Sequence, residues 1–181
     1  MQTFLDLIKQ RRSIRAYEAR PIAREDLELC VEAARYAPST CNAQPWKFIA
    51  VDDANTKTAI SKHVFSGFYN MNSFAKEAAA FVAVVSERTK FPAWLAGKFR
   101  STDFRHIDIG IACAHIVLQA QELGIGTCVL GWFNEKKFKK ILSVHPLKKI
   151  ELVIALGYPK DAQLHEKALK DKKETVSFNK Y

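Results

Sequence analysis

The sequence predicts an α+β or α/β sandwich with a mostly buried sheet of about four or five strands. Segments with apolar residues at helical spacing alternate with short, continuously apolar runs rich in β-branched residues. Such runs are typical of strands that are covered on both faces. The chain has 181 residues, 48% of them hydrophobic, with no internal repeat and no low-complexity linker. This length and composition predict a single domain over residues 1–181.

Three helices and two strands are predicted in the first half of the chain. Apolar residues from Phe4 to Ile8 indicate an amphipathic first helix, and a second helix opens near Ile22 and stops at Pro38. The next elements are a strand over residues 48–51, a helix over residues 54–64 and a strand over residues 80–85.

Two segments, residues 65–75 and 91–102, show no clear period and are rich in glycine, polar and aromatic residues. We expect loops or short helices there, close to a site, and the segments are candidates for substrate contacts.

A long helix dominates the second half. Apolar residues recur on nearly all sides between Ile107 and Leu123, which predicts a central helix, and Gly124 ends it. A strand over residues 127–130, a helix over residues 135–142 and a strand over residues 150–156 follow.

The formal net charge of +9 fits nucleic acid, an anionic surface or anionic small molecules as partners. Much of the excess lies in two lysine-rich stretches, residues 136–149 and 167–173, and such runs are usually solvated faces. No helix-turn-helix, zinc finger or aromatic-interleaved basic strand accompanies them, so nucleic-acid binding is the weaker alternative. No apolar run is long enough for a membrane span and the first residues lack a signal-peptide core, so we expect no membrane association and a cytoplasmic location.

The cysteines and histidines do not indicate a metal site. Cys30, Cys41, Cys113 and Cys128 form no Cys-x-x-Cys pair, and the five histidines have no ligand spacing. Cys30 and Cys113 fall on apolar helix faces and are expected in the core. The glycine pattern of a Rossmann dinucleotide fold is also absent, so a permanently held NAD(P)H is not expected.

Two polar clusters near the start carry the chemistry. Arg11, Arg12, Ser13 and Arg15 offer guanidinium and hydroxyl donors that suit a phosphate or an electron-rich ring edge. The second cluster, whose amides and hydroxyls can read a heterocycle, consists of Pro38, Ser39, Thr40, Asn42 and Gln44. The alternatives are a basic helix terminus and a plain connecting loop. Together the clusters suggest a phosphorylated, ring-bearing cofactor.

These residues also carry a family resemblance. The run Arg-Arg-Ser-x-Arg, followed by Pro-Ser-Thr-x-Asn-x-Gln-Pro-Trp-Lys-Phe, resembles the nitroreductase family of FMN-dependent oxidoreductases. Three further segments are similar to that family: residues 108–112 to its central helix, residues 123–131 to the loop beside its flavin, and residues 177–181 to the tail of its small members. The resemblance extends in the family's order from about Phe4 to Tyr181.

The resemblance implies a nitroreductase-like FMN-binding fold with a mostly antiparallel or mixed central sheet flanked by helices. It also implies a homodimer, in which the segment from Pro38 to Gln44 reaches the flavin of the partner subunit. The arginine cluster would bind the FMN phosphate and the pyrimidine edge of the ring. Arg15 is the candidate for the positive charge near N1 and O2, with Arg11 as the alternative.

Further cofactor contacts follow from the resemblance. The strand and turn beside the flavin comprise Cys128, Val129, Leu130 and Gly131, with Leu130 and Gly131 as the first candidates for the neighbours of N5. The family usually places an arginine near its C-terminus for the phosphate, whereas this chain has lysines, so Lys170 is the first candidate and Lys172 the second. Because lysine supplies charge without the guanidinium fork, phosphate affinity is expected to be lower.

The activity implied by the resemblance is a ping-pong oxidoreduction. Tightly bound FMN takes hydride from NAD(P)H, a transient reductant, and passes it to a small acceptor such as a nitroaromatic or a quinone. No catalytic side chain is expected, because flavin N5 carries the chemistry. A flavin-binding or storage protein without efficient NAD(P)H turnover is the alternative.

Overall fold

A four-stranded antiparallel sheet forms the centre of the computed structural model, which describes residues 3–88, 91–160 and 167–181. Its strands lie in the order β1-β2-β4-β3. Their bounds are Trp46–Val51 for β1, Ala80–Ser86 for β2, Gly126–Leu130 for β3 and Lys149–Gly157 for β4. The predicted α+β sandwich is confirmed, and its sheet is antiparallel at every pairing between these strands.

Helices flank the sheet in the described ranges, with the bounds Phe4–Gln10 for α1, Arg24–Arg35 for α2, Ala54–His63 for α3, Phe91–Arg100 for α4, Phe104–Glu122 for α5, Glu135–Ile141 for α6 and Lys172–Thr175 for α7. Short 3-10 segments cover Thr40–Asn42 and Gly67–Glu77. The two irregular stretches of the sequence therefore form short helices, as expected. None of the described helices combines the length and the apolar character needed to cross a bilayer.

Polar caps fix where several helices begin. Asp53 accepts a hydrogen bond from the Thr56 amide at 2.8 Å, and Asn134 accepts one from the Lys137 amide at 3.1 Å. Helix α1 begins with a reciprocal box, in which Thr3 and Asp6 each satisfy the other's backbone amide. These side chains satisfy amides that have no partner inside the helix.

Strand β2 separates two hydrophobic cores. Phe81, Ala83 and Val85 face the core that is shared with α3 and α6, and the residues between them face the core that is shared with α2 and α5. All seven residues of β2 are buried, so its continuous apolar run reflects cover on both faces. Each large aliphatic side chain buried in this way stabilises the fold by roughly 1.5–3 kcal/mol.

Helix α5 is central, as predicted, but this chain covers only one side of it. Ile109, Cys113 and Ile116 are buried in the core that α5 shares with α2 and the sheet, whereas Ile107 is 51% exposed on the opposite side. Helix α1 has no buried residue, and its Phe4 is 67% exposed. The described part of the chain thus leaves some apolar residues of both helices exposed.

Candidate functional site

The arginine cluster lies along one end of the sheet. The Ile14 amide donates to the Thr127 carbonyl at 2.8 Å, and the Glu18 amide donates to the Tyr158 carbonyl at 2.9 Å. Ser13 bridges to Thr127 in a parallel sense. Residues 13–18 therefore run beside the start of β3 and the end of β4. Arg11, Arg12 and Arg15 lie at this corner of the sheet.

Two glycines make this close approach possible. Gly126 and Gly157 pair with each other across β3 and β4. A Cβ atom added at Gly126 would lie 2.6 Å from Ile14 Cγ1, and one added at Gly157 would lie 2.6 Å from Tyr17 Cδ1. Only glycine leaves room for the segment at these positions.

Tyr17 fixes the far end of the segment. Its ring is 3% exposed, and its hydroxyl donates to the Ile14 carbonyl at 2.8 Å. Burial raises the pKa of the phenol well above its ordinary value, so the hydroxyl stays protonated and keeps this bond. Arg15 is held between two anchored residues as a result.

Positive charges converge at this corner. Burial raises the pKa of the Cys128 thiol, and the nearby positive charges of Arg15 and Arg11 oppose that rise. Lys167 donates from Nζ to the Ile8 carbonyl at 2.8 Å. Its pKa is lowered by partial burial and then by the charges of Arg11 and Arg12. Within the described ranges no carboxylate forms an ion pair with Arg11, Arg15 or Lys167, so this corner suits an anion.

The arginine side chains differ in their local contacts. Arg15 is exposed, its Nη1 donates to the Ser13 carbonyl at 3.3 Å, and its guanidinium carbon lies 5.9 Å from the centre of the Phe74 ring. Arg12 donates to the carbonyl oxygens of Lys9 and Arg11. Arg15 is thus available to solvent while an aromatic face limits its freedom.

The amide cluster forms a tight loop with unusual backbone geometry. Cys41, Asn42 and Gln44 have φ values of 52°, 48° and 48°, in the left-handed region that residues other than glycine seldom adopt. Gln44 Nε2 donates to Asn42 Oδ1 at 2.8 Å, and both side chains are exposed. Each residue in this conformation lowers the stability of the fold by on the order of 1–3 kcal/mol. Strain of this kind persists where the surrounding structure enforces it.

A buried carboxylate holds this loop. Asp108 of α5 is 3% exposed and accepts hydrogen bonds from the Thr40 amide at 3.1 and 3.2 Å and from the Thr40 hydroxyl at 3.1 Å. The family resemblance includes Asp108, but the sequence gives it no role, because its partner lies 68 positions away.

The two clusters lie at opposite corners of the sheet. Ser13 reaches Thr127 where β3 pairs with the end of β4. Trp46, which follows the loop, pairs with Ser86, and Ser86 pairs with Lys149 at the start of β4. From the strand spacing and the rise per residue, the corners are on the order of 25 Å apart. The fold of a single chain therefore does not bring its two clusters together.

The remaining predicted residues are spread over the first corner and the tail. Cys128 and Leu130 are buried, whereas Val129 is 47% exposed. A Cβ atom added at Gly131 would meet nothing within 4 Å, so the backbone there is open to a ligand. On the tail, Lys170 is exposed and Lys172 opens α7. The sequence missed Lys167 as a candidate because nothing in its local pattern distinguishes it from the neighbouring lysines.

The residues present fit a flavin mononucleotide. Three guanidinium groups and an ammonium suit its phosphate and the electron-rich edge of its ring, and an open glycine backbone suits close approach of the ring. The exposed amides of Asn42 and Gln44 can both donate to and accept from a heterocycle. They lie at the other corner of the sheet, away from the arginine cluster.

Several known proteins are similar to this chain in sequence and in fold. A family model described as "Nitroreductase family" matches residues 8–158. The chain is 34% identical over 167 residues to an Archaeoglobus fulgidus protein provisionally named NADH dehydrogenase/NAD(P)H nitroreductase, covering 89% of this chain and 88% of that protein. It is 25% identical over 181 residues to iodotyrosine deiodinase of Thermotoga neapolitana, covering 89% and 91%. A solved FMN-dependent nitroreductase from Clostridium difficile R20291 has a TM-score of 0.74 at 28% identity, covering 98% and 99%. The chain belongs to the nitroreductase family.

Proposed function

We propose that this protein is an FMN-dependent oxidoreductase that carries hydride from NAD(P)H to a small electron acceptor by a ping-pong cycle. Family membership supports the oxidoreductase class. The names of the similar proteins support NAD(P)H as reductant and FMN as cofactor. FMN, when bound, supplies hydride chemistry at N5, so the chain's own residues bind, orient and exclude water. No side chain is proposed as a catalytic acid or base.

The observation that carries the proposal is the separation of the two polar clusters. Each suits one side of a flavin, yet in a protomer they lie at opposite corners of the sheet. Two copies of the chain can place the arginine corner of one against the amide loop of the other. We therefore propose a homodimer with shared FMN sites.

The exposed apolar surface supports the same assembly. Phe4 and Leu5 of α1, Ile107 of α5 and Phe178 of the tail are all more than half exposed in the protomer. They come from elements that lie far apart in the sequence, and an association of two copies would cover such residues.

Each residue of the arginine corner has a proposed role. Arg11, Arg12 and Lys167 bind the phosphate, and the alternatives to Lys167 on the same segment are the two candidates of the resemblance, Lys170 first and Lys172 second. Arg15 lies at the N1 and O2 edge, where a permanent positive charge stabilises the reduced ring, and Arg11 is its alternative.

The other contacts orient the ring. Ser13 offers a hydroxyl, and the backbone around Leu130 and Gly131 lies beside N5, with Cys128 and Val129 completing that strand. From the partner subunit, Pro38 and Ser39 shape the loop, and Thr40, Asn42 and Gln44 offer the groups that read the heterocycle.

The similar proteins act on more than one class of substrate according to their names, and this bears on the electron acceptor. The compared proteins carry the names of both a nitroreductase and a deiodinase, so the shared fold does not select one substrate. We propose a nitroaromatic, a quinone or a similar small electrophile as acceptor. The four free thiols fit a reducing compartment, which supports the cytoplasm as location.

The test is the visible absorption spectrum of the purified protein, supplied with FMN where needed, before and after anaerobic addition of NADH or NADPH. We expect a flavin absorption band at ~450 nm that bleaches on reduction and returns when menadione or a nitrofuran is added. A flavin that binds but is not bleached would indicate storage instead. A protein that takes up no FMN would contradict the proposal.

A further inference from the structure

Asp108 is a buried charged group that the proposed chemistry leaves without a role. It lies near the start of α5 and is 3% exposed. Its carboxylate accepts from both donors of Thr40, the amide and the hydroxyl, at 3.1 to 3.2 Å. A buried carboxylate is costly unless such bonds compensate it. A carboxylate is also an acceptor-only group, which matches two donors on one residue.

The residues that follow Thr40 need external support. Cys41, Asn42 and Gln44 have left-handed φ values, a conformation that residues other than glycine adopt when tertiary contacts enforce it. Gln44 bonds to Asn42 and to Ser39, and those bonds stay inside the loop. The bonds of Thr40 instead run to a helix that packs against the sheet.

We propose that Asp108 is a positioning residue that acts through Thr40. It holds the loop of residues 39–44 in the conformation, with Cys41, Asn42 and Gln44 in the left-handed region, that presents Asn42 and Gln44 to the flavin of the partner subunit. This inference rests on the proposed FMN function. Asp108 itself touches no cofactor, so its removal should disturb the pose of the ring and the order of the loop while leaving the FMN phosphate site intact.

The test compares Asp108→Asn with a matched control, Ile109→Val. Asparagine keeps the size of the side chain but can turn an amide donor toward the Thr40 donors, whereas Ile109 is an adjacent buried residue without a hydrogen bond to the loop. For each full-length variant we would measure FMN affinity by fluorescence titration and visible circular dichroism of the flavin at saturating FMN. We would also measure the rate of amide hydrogen exchange in the peptide that contains residues 40–44, which reports on the order of the loop.

We expect Asp108→Asn to weaken FMN binding at least about tenfold, to speed exchange in residues 40–44 and to change the flavin circular dichroism at saturation. Ile109→Val should stay within about twofold of the parent in affinity and keep its spectrum. Thr40→Val, which removes only the hydroxyl bond, should give a smaller change of the same kind. It also serves as the test variant if Asp108→Asn does not fold.

The possible results separate the two proposals. If the parent binds FMN and Asp108→Asn matches it in affinity, spectrum and exchange, the positioning role is wrong while the FMN function stands. If Ile109→Val loses as much affinity as Asp108→Asn, the effect is one of general stability and the positioning role is overturned. If the parent binds no FMN, the proposed function fails and this inference fails with it.

Discussion

Lys167 places an ammonium group beside two guanidinium groups. Its Nζ bonds to the Ile8 carbonyl, and partial burial and the charges of Arg11 and Arg12 lower its pKa. A bound phosphate would relieve this repulsion. We expect Lys167→Ala to weaken FMN binding roughly tenfold, equivalent to about 1.4 kcal/mol, because one charge-assisted contact to the phosphate is lost. Riboflavin, which lacks the phosphate, should bind both forms equally well in the same fluorescence titration.

The controls are Lys170→Ala and Lys172→Ala. The family resemblance makes these two lysines the first candidates, and both are exposed. If Lys167 binds the phosphate, each control should change FMN affinity less than about twofold. An equal loss of riboflavin and FMN binding in Lys167→Ala would contradict the phosphate role. A large loss in Lys170→Ala alone would restore the order that the resemblance suggests.

Residue chemistry explains which candidates could be predicted from the sequence. Arg15 and Asn42 were candidates because their donors suit a flavin wherever the chain places them. Lys167 and Asp108 depend on tertiary contacts with residues 159 and 68 positions away, and no local pattern distinguishes them. A cluster of positive charges could be predicted from the sequence. Which residues belong to it could be seen only in the folded chain.

Gly157 governs how the arginine segment seats on the sheet. A methyl group there would lie 2.6 Å from Tyr17 Cδ1, and the ring is buried and bonded through its hydroxyl. We expect Gly157→Ala to lower the free energy of unfolding by about 1–3 kcal/mol, as for other overpacked sites. FMN affinity should fall as well, because Arg15 lies between Ile14 and Tyr17. Urea unfolding and FMN titration measure the two effects.

The matched control is Gly110→Ala. Gly110 lies inside α5, and an added Cβ atom would meet nothing within 4 Å. Alanine should stabilise the helix by up to about 1 kcal/mol, so the variant is a control for the effect of an added methyl group on stability. If Gly157→Ala leaves both stability and FMN affinity at the parent level, the close approach of Tyr17 does not constrain the segment.

For whole helices and strands, the apolar pattern of the sequence predicted where each element lies, and capping side chains determined where the helices begin. The central helix was predicted from residue 107, where its apolar residues begin, whereas it starts at Phe104 because Asp103 accepts from the Arg105 amide. Strand β4 is one residue longer at each end than the predicted strand over residues 150–156. The strand order β1-β2-β4-β3 could not be read locally, since it depends on pairing between distant segments.

Buried thiols should make the whole molecule sensitive to alkaline pH. Burial raises the pKa of Cys113 from 9.0 to about 12, and burial with the charge of Asp26 does the same for Cys30. The folded-state pKa thus lies above the unfolded value, so the unfolded chain loses these protons first. Stability is then full below about pH 9 and falls as the pH rises toward 12, by up to about 1.4 kcal/mol per pH unit and thiol.

Urea unfolding at fixed protein concentration, at about pH 8 and about pH 10.5, measures this loss. Cys113→Ala should lose less stability over that interval than the parent, although it starts lower because of the cavity. The control Cys41→Ala removes an exposed thiol and should keep the parent's slope. If Cys113→Ala and the parent lost the same free energy of unfolding between the two pH values, the buried thiol would not cause the loss of stability at alkaline pH.

The shared site of the proposed homodimer makes the sharpest prediction about the whole molecule, because it concerns which subunit supplies which cluster. Arg15→Ala damages the arginine corner, and the double variant Asn42→Ala/Gln44→Ala damages the loop at the other corner. In a mixed dimer with one subunit of each kind, one site combines both damaged clusters. The other combines both intact ones.

Co-expression with two different affinity tags and purification over both would isolate the mixed dimer. We expect it to hold about half of the parent's FMN and to show about half of its turnover, while each homodimer holds far less. If each site were built within one protomer, every site of the mixed dimer would carry one damaged cluster. Its FMN content would then match that of the homodimers, and a monomer in sedimentation would lead to the same conclusion. The separation of the clusters across the sheet favours the first outcome, because one chain cannot close the distance between its own two corners.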